Sequence, residues 1–217
     1  MSTAVALPLV LAIPLPFLLE MSHRLGITCF SADYRLAPED TFPAAPNDAF
    51  AGYKGLLELG YAPEKIILCG ESAGATLVLD IPLMAKAAGI PNPAAVIAMS
   101  PVTDAIAVEE GTVLEGLDSS DQALEVYAPG HDKADPLISP ALGDLTGFPP
   151  TFLSVGSTEI LLKDSLTFAR NAAKAGCDVR LHVGKDMIHT YPLDLWDYPE
   201  AMTAFEEMEL FLRQILR

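Results

Sequence analysis

The chain has 217 residues, of which 13 are Lys or Arg and 29 are Asp or Glu, so its formal net charge at pH 7 is −16. This acidic balance argues against binding to nucleic acids or to anionic membrane surfaces, which both require clustered cations. A hydrophobic fraction of 51% with 19% charged residues excludes intrinsic disorder, and we expect one α/β domain over residues 1–217.

The first 16 residues form an atypical apolar segment. No charged residue occurs from Thr3 to Leu19, and Pro8, Pro14 and Pro16 interrupt the run. A membrane-spanning helix needs about 20 apolar residues, and three prolines argue against one in this run. A secretory signal would begin with a positive charge, whereas the first cation is Arg24. We therefore expect a strand and a loop here, no membrane span, and a cytoplasmic protein.

Along the rest of the chain, short β-prone stretches alternate with stretches of helical periodicity. In chain order these are a strand at 27–32, a helix at 48–59, a strand at 65–69, a helix at 73–88, strands at 94–99 and 151–155, a helix at 164–175, a strand at 178–183 and a helix at 199–216. Pro82 is expected to kink its helix or to start a second segment. The alternation predicts a mainly parallel sheet with helices on both faces and reactive groups at the carboxyl ends of the strands.

The strand at 65–69 is followed by the pentapeptide GESAG at 70–74 and then by a helix. This context fits the nucleophile elbow G-x-S-x-G, in which small residues permit a sharp turn that lifts the serine hydroxyl above the sheet. The amides at the start of the next helix point toward developing negative charge. Ser72 is therefore the candidate nucleophile, although a plain strand-to-helix connection would leave the same pattern.

Two further strand ends carry an acid and a histidine after Ser72. Glu159 follows the strand at 151–155, and His189 lies in the loop after the strand at 178–183. Serine, acid and histidine occur in this chain order in hydrolases with a nucleophile elbow, which makes His189 the candidate general base. A loop histidine can equally be a solvated or capping residue, so the order alone does not settle its role.

Five segments carry a family resemblance: YRLAPE at 34–39, FPAA at 42–45, GESAG at 70–74, DPLISP at 135–140 and DMIH at 186–189. In this order they resemble the hormone-sensitive-lipase-like family of α/β-hydrolase esterases, with the branch of ε-lactone hydrolases and acetyl esterases as the most similar. The resemblance covers about residues 17–217. It implies an α/β-hydrolase fold and a carboxylic-ester hydrolase that acts on small acyl esters or lactones and needs no metal or cofactor.

The resemblance also implies roles for individual residues. Glu159 matches the family's acid, which holds the histidine in place, while Asp164 is the rival acid and fits better as a cap at the start of a helix. Ser72 would attack the ester, His189 would move the proton, and the backbone amide of Ala73 would stabilise the oxyanion. Family members often dimerise through their last strand and helix, so the resemblance allows a homodimer through residues 178–183 and 199–216.

The sequence departs from the family at its N-terminus. The His-Gly-Gly-Gly loop that supplies further oxyanion amides should lie about 70 residues before the nucleophile, near Met1 to Val5, yet no glycine precedes Gly26. We therefore expect an N-terminally truncated member that lacks the usual cap and first strands. Residues 4–13 are expected to fill the position between the strands that end near Ala32 and Cys69. The alternative function is that of a catalytically impaired homologue or fragment that at most binds a small apolar ligand.

Overall fold

The computed structural model describes residues 7–11, 13–106 and 120–216. The strands are β1 (Leu7–Leu11), β2 (Phe30–Ser31), β3 (Ile66–Glu71), β4 (Ala95–Met99), β5 (Thr151–Gly156) and β6 (Val179–Gly184). The helices are α1 (Leu15–Leu25), α2 (Ala44–Glu58), α3 (Ser72–Ala88), α4 (Ser120–Tyr127), α5 (Leu162–Lys174) and α6 (Pro199–Ile215). Short 3₁₀ turns lie at Pro63–Lys65, Pro140–Leu142 and Tyr191–Leu193.

The strands form one sheet in the order β2-β1-β3-β4-β5-β6, and every neighbouring pair is parallel. Alternate residues of β3 face opposite sides: Ile66 and Leu68 belong to a core with α2, α3 and α5, whereas Ile67 and Cys69 belong to a core with α1 and α6. The prediction of a parallel sheet with helices on both faces is confirmed. Because helices cover both faces of the sheet, the central strands are buried and the positions of their carboxyl ends are fixed.

The N-terminal apolar segment supplies an interior strand of the sheet. Over Leu7–Leu11, β1 pairs with Ile66–Gly70 of β3 on one side and with β2 on the other. The expectation that residues 4–13 lie between these two strands is thus confirmed for β1, while residues 4–6 and 12 lie outside the described residues. Pro8 stands inside this strand, opposite Ile67.

One sequence-based expectation is wrong in detail, and one of the two outcomes expected at Pro82 does not occur. The strand and loop expected up to Leu19 give way to α1, because Pro16 occupies the first turn, where a missing N–H costs no hydrogen bond. Phe17, Leu18 and Met21 then bury one side of that helix. Pro82 does not start a second segment: α3 continues through it, since nine neighbouring buried positions of the helix, all from residues 74–85, hold it in the core. None of the described helices is long and apolar enough to cross a bilayer.

Candidate active site

The turn between β3 and α3 carries Ser72 at the carboxyl edge of the sheet. Ser72 has a φ of +49°, in the left-handed region that non-glycine residues rarely adopt. A Cβ at Gly70 would collide with the backbone of Gly74, so only glycine allows the chain to turn this tightly. Ala73, the next residue, lies in the first turn of α3, where backbone amides have no acceptor within the helix.

The structure brings Ser72, His189 and Glu159 together from three strand ends. The Nε2 atom of His189 lies 3.0 Å from Ser72 Oγ, and its Nδ1 atom lies 2.6 Å from Glu159 Oε2. The His189 side chain is 42% exposed, whereas that of Glu159 is 3% exposed. A buried carboxylate therefore holds one nitrogen of a solvent-accessible imidazole, and the other nitrogen faces the serine hydroxyl. The three candidates from the sequence form one hydrogen-bonded chain.

Asp164, the rival acid, is placed elsewhere. Its Oδ1 atom accepts the N–H groups of Thr103 at 3.0 Å and of Asp104 at 2.7 Å, and its backbone carbonyl accepts the Thr103 hydroxyl at 2.7 Å. Burial raises the pKa of the Asp164 carboxyl, although these two amides oppose the shift. Asp164 therefore ties the start of α5 to the loop after β4. The expectation that it caps the helix is wrong, because its carboxylate accepts these loop amides and the N-cap of α5, Leu161, makes no side-chain cap hydrogen bond.

Glu159 is fixed by donors other than the histidine. Its Oε1 atom accepts the N–H of Gly156 and, at 2.8 Å, the hydroxyl of Ser100. The Ser100 oxygen in turn accepts the N–H of Thr190 at 3.2 Å. Ser100 is not among the site residues predicted from the sequence. Its contact with Glu159, 59 positions later in the chain, arises only when β4 pairs with β5.

Further hydrogen bonds join the turn that carries Glu159 to the loop that carries His189. The Thr158 hydroxyl donates to the Met187 carbonyl at 2.6 Å, and the N–H of Asp186 donates to the Ser157 hydroxyl at 2.7 Å. At Gly156 a Cβ would collide with the carbonyl of Met187, so the two segments approach as closely as backbones can. The acid and the base are consequently held as one unit.

A cavity of about 310 Å³ opens beside the elbow. It is lined mainly by apolar side chains, among them Leu77, Val102, Leu124 and Ile160, and Ala73 lies on its wall. An apolar group attached to a carbonyl held near Ser72 could enter this space, because burial of apolar surface from water is favourable. The cavity therefore suits an acyl or alkyl substituent rather than a charged one.

Two ionisable side chains near Ser72, those of Glu71 and Tyr34, are half-buried. Burial raises the pKa of the Glu71 carboxyl, and the charge of His189 opposes the shift. Burial also raises the pKa of the Tyr34 hydroxyl, with a smaller contribution from Glu71. Within the described ranges no three His, Cys, Asp or Glu side chains are grouped as they would be around a metal ion. The chemistry that this site offers is proton transfer between a hydroxyl and an imidazole.

Comparisons with known proteins identify the family to which the chain belongs. A family model described as the alpha/beta hydrolase fold matches residues 11–193. An acetyl-hydrolase from Streptomyces hygroscopicus is 38% identical over 196 residues, which are 87% of this chain and 65% of that protein. An esterase from Acinetobacter venetianus is 32% identical over 201 residues, which are 88% of this chain and 66% of that protein. The chain thus spans just under two thirds of the length of these two relatives.

Solved structures give the same result. An esterase/lipase from an uncultured bacterium matches with a TM-score of 0.89 at 29% identity, covering 99% of this chain and 78% of that one. A hormone-sensitive lipase from a metagenome library matches with a TM-score of 0.85 at 31% identity, covering 97% of this chain and 78% of that one. The fold class and the resemblance to hormone-sensitive-lipase-like esterases are confirmed. The chain belongs to the alpha/beta hydrolase fold family.

Proposed function

We propose that this protein hydrolyses small carboxylic esters or lactones through an acyl-enzyme on Ser72. The observation that carries the proposal is the continuous hydrogen-bonded chain from Ser72 Oγ through His189 to Glu159, with distances of 3.0 and 2.6 Å. It lies beside an apolar cavity, as expected for an enzyme that places an acyl or alkyl group next to a nucleophile.

The chemistry follows from the positions of the atoms. Ser72 Oγ attacks the ester carbonyl while its proton passes to His189 Nε2, and the resulting imidazolium is stabilised by the carboxylate of Glu159. The tetrahedral intermediate collapses as His189 returns the proton to the leaving alkoxide, which departs as an alcohol. Water then attacks the acyl-enzyme, gives its proton to His189, and releases the carboxylic acid and the free Ser72 hydroxyl.

The amide of Ala73 is the proposed oxyanion donor, because it precedes the first intrahelical bond of α3 and borders the cavity. The family's second source of oxyanion amides would fall at about residues 1–5, which lie outside the described residues. Loss of a single oxyanion donor costs about 10² to 10³ in kcat. The amide of Ala73 is thus the oxyanion donor that we propose from the described residues.

The test is hydrolysis of p-nitrophenyl acetate and butyrate by the wild type and by Ser72→Ala. Removal of the nucleophile should lower kcat by at least about 10⁴-fold, or to the uncatalysed rate. Ser31→Ala, which removes an exposed hydroxyl on β2, is the matched control and should keep the wild-type rate. Phenylmethylsulfonyl fluoride should modify Ser72 alone among the serines, as seen by mass spectrometry. Equal rates for wild type and Ser72→Ala would refute the proposal.

A second candidate function rests on the same cavity. Its apolar lining persists whether or not the oxyanion donors suffice for turnover, so a catalytically impaired chain could still bind a small apolar ligand. Binding of a fluorescent apolar dye, displaced by butyl esters in a protein without measurable turnover, would favour this reading over the first.

A further inference from the structure

Ser100 occupies an unusual position next to the candidate active site. It follows the last residue of β4, its side chain is fully buried, and its φ is +51°. Its N–H donates to the Ser154 carbonyl at 2.8 Å, which anchors it to β5. Non-glycine residues with positive φ are uncommon, and they persist where the surrounding structure holds them in place. A buried residue in this conformation at the edge of a reaction site calls for a specific role.

We propose that Ser100 is a positioning residue whose hydroxyl fixes the carboxylate of Glu159 and the loop of His189 relative to each other. The inference rests on the proposed function, since it concerns how the acid and the base of that site are aligned. The Ser100 hydroxyl makes its hydrogen bonds to Glu159 and to the N–H of Thr190, and so would act on the nucleophile only through the acid and the base.

The two carboxylate oxygens of Glu159 have different hydrogen-bond donors. Oε2 accepts the hydrogen bond from His189, so the plane of the carboxylate must be set through Oε1. Oε1 has two donors, the N–H of Gly156 and the hydroxyl of Ser100. Gly156 is only three residues before Glu159 on the same strand-and-turn segment, whereas Ser100 directly follows β4. Of these two donors, only Ser100 therefore connects the carboxylate to the end of a different strand.

Ser100 also contacts the loop that carries His189. The Ser100 hydroxyl has one proton, which it donates to Glu159, and its lone pair accepts the N–H of Thr190. Thr190 directly follows His189 and has a φ of +53°, so its backbone is also held in a rarely populated conformation. A single buried oxygen thus contacts both the acid and the residue next to the base. Its removal should loosen the alignment of Glu159 with the imidazole.

The experiment compares Ser100→Ala and Ser100→Gly with the wild type. Both substitutions remove the hydroxyl, but glycine tolerates the positive φ, so a shared effect reports the hydroxyl and not the backbone. Ser154→Ala is the matched control, because that neighbouring serine is equally buried and its hydroxyl has no hydrogen-bond partner among the described residues. Circular dichroism and thermal unfolding identify the variants that fold.

We expect kcat for p-nitrophenyl acetate to fall about 10- to 100-fold in both Ser100 variants, with KM near its wild-type value, because misalignment affects the reaction and not substrate binding. Ser154→Ala should keep the wild-type kcat. A role limited to folding would lower the melting temperature of the Ser100 variants without changing kcat of the folded protein. Wild-type kcat in either folded Ser100 variant, or an equal loss in Ser154→Ala, would overturn the proposal.

A second readout separates this inference from the proposed function. The proton in the 2.6 Å bond between His189 Nδ1 and Glu159 should give a far-downfield proton NMR signal, assigned by its loss in Glu159→Gln. We expect that signal to vanish or to exchange rapidly in Ser100→Ala and to persist in Ser154→Ala. If the wild type hydrolyses no ester, the proposed function fails, but the NMR comparison still decides the role of Ser100: an unchanged signal in Ser100→Ala overturns it.

Discussion

Asp80 lies in the middle of α3 with no exposed surface, and neither of its carboxylate oxygens has a hydrogen-bond partner among the described residues. Burial raises the pKa of this carboxyl well above its usual value, and the negative charge of Asp135 adds to the shift. Tyr127, which also faces Asp80, has a raised pKa mainly through its own burial. No cation is among the groups that shift the pKa of Asp80, so folding favours its neutral form.

The consequence is a loss of stability as the pH rises. Above the ordinary pKa of about 3.9, the unfolded chain releases the Asp80 proton while the folded chain keeps it, so the unfolded state is favoured increasingly with pH. The free energy of unfolding then falls by about 1.4 kcal/mol per pH unit until the folded pKa is reached. From pH 5.5 to 7.5, a carboxyl that stays protonated would cost about 3 kcal/mol, a large share of the roughly 5–15 kcal/mol typical of a domain.

Asp80→Asn tests this reasoning, because the amide has nearly the same shape and cannot ionise. We expect its stability relative to the wild type, from urea unfolding followed by circular dichroism, to increase over this pH range by up to the same 3 kcal/mol or so. Asp197→Asn, at an exposed carboxylate, is the control and should follow the wild-type curve. A constant difference between Asp80→Asn and the wild type at every pH would refute the reasoning.

Two further substitutions test the close backbone approach at Gly156 and a hydrogen bond of Tyr53. Gly156→Ala would place a Cβ against the backbone of the histidine loop and should lower kcat about 10²-fold, whereas Gly55→Ala, with no atom near its added Cβ, should keep full activity in the same ester assay. Tyr53→Phe removes the hydroxyl that donates to the Pro91 carbonyl at 2.7 Å and should lower the free energy of unfolding by about 1 to 2 kcal/mol. Tyr61→Phe, at an exposed ring, is its control in urea unfolding. Equal free energies of unfolding for Tyr53→Phe and the wild type would contradict a stabilising contribution of this hydrogen bond.

Local sequence signals were enough to predict the sheet and the order of the three candidate residues. Gly70 and Gly74 stand at the spacing that a strand-to-helix turn needs, and a continuous apolar run precedes them, so the elbow could be predicted without tertiary information. The start of α1 could not be predicted, because Pro14 and Pro16 indicate a break in regular structure until the helix is known to begin there. Proline is well tolerated in the first turn of a helix but disfavoured in its interior, so its presence alone does not predict which case applies.

Other parts of the site depend on contacts between distant segments. Ser100 is one serine among many until the pairing of β4 with β5 brings its hydroxyl to Glu159. Asp80 reads as a polar position on a helix, and only the packing of the core around α3 removes it from water. Periodicity assigns a residue to an element, but it does not say which distant side chain that residue meets.

The placement of the three residues in the sheet also determines how the site would come apart. β3, which leads to Ser72, is central and buried along almost its whole length, whereas β6, which leads to His189, is an edge strand with mostly half-buried side chains. Local opening in proteins begins where fewest contacts must be broken. Fraying of the β6 edge would withdraw the imidazole while the nucleophile stays in a closed core. Chemical competence would thus depend on an edge strand as well as on the central strand that carries the nucleophile.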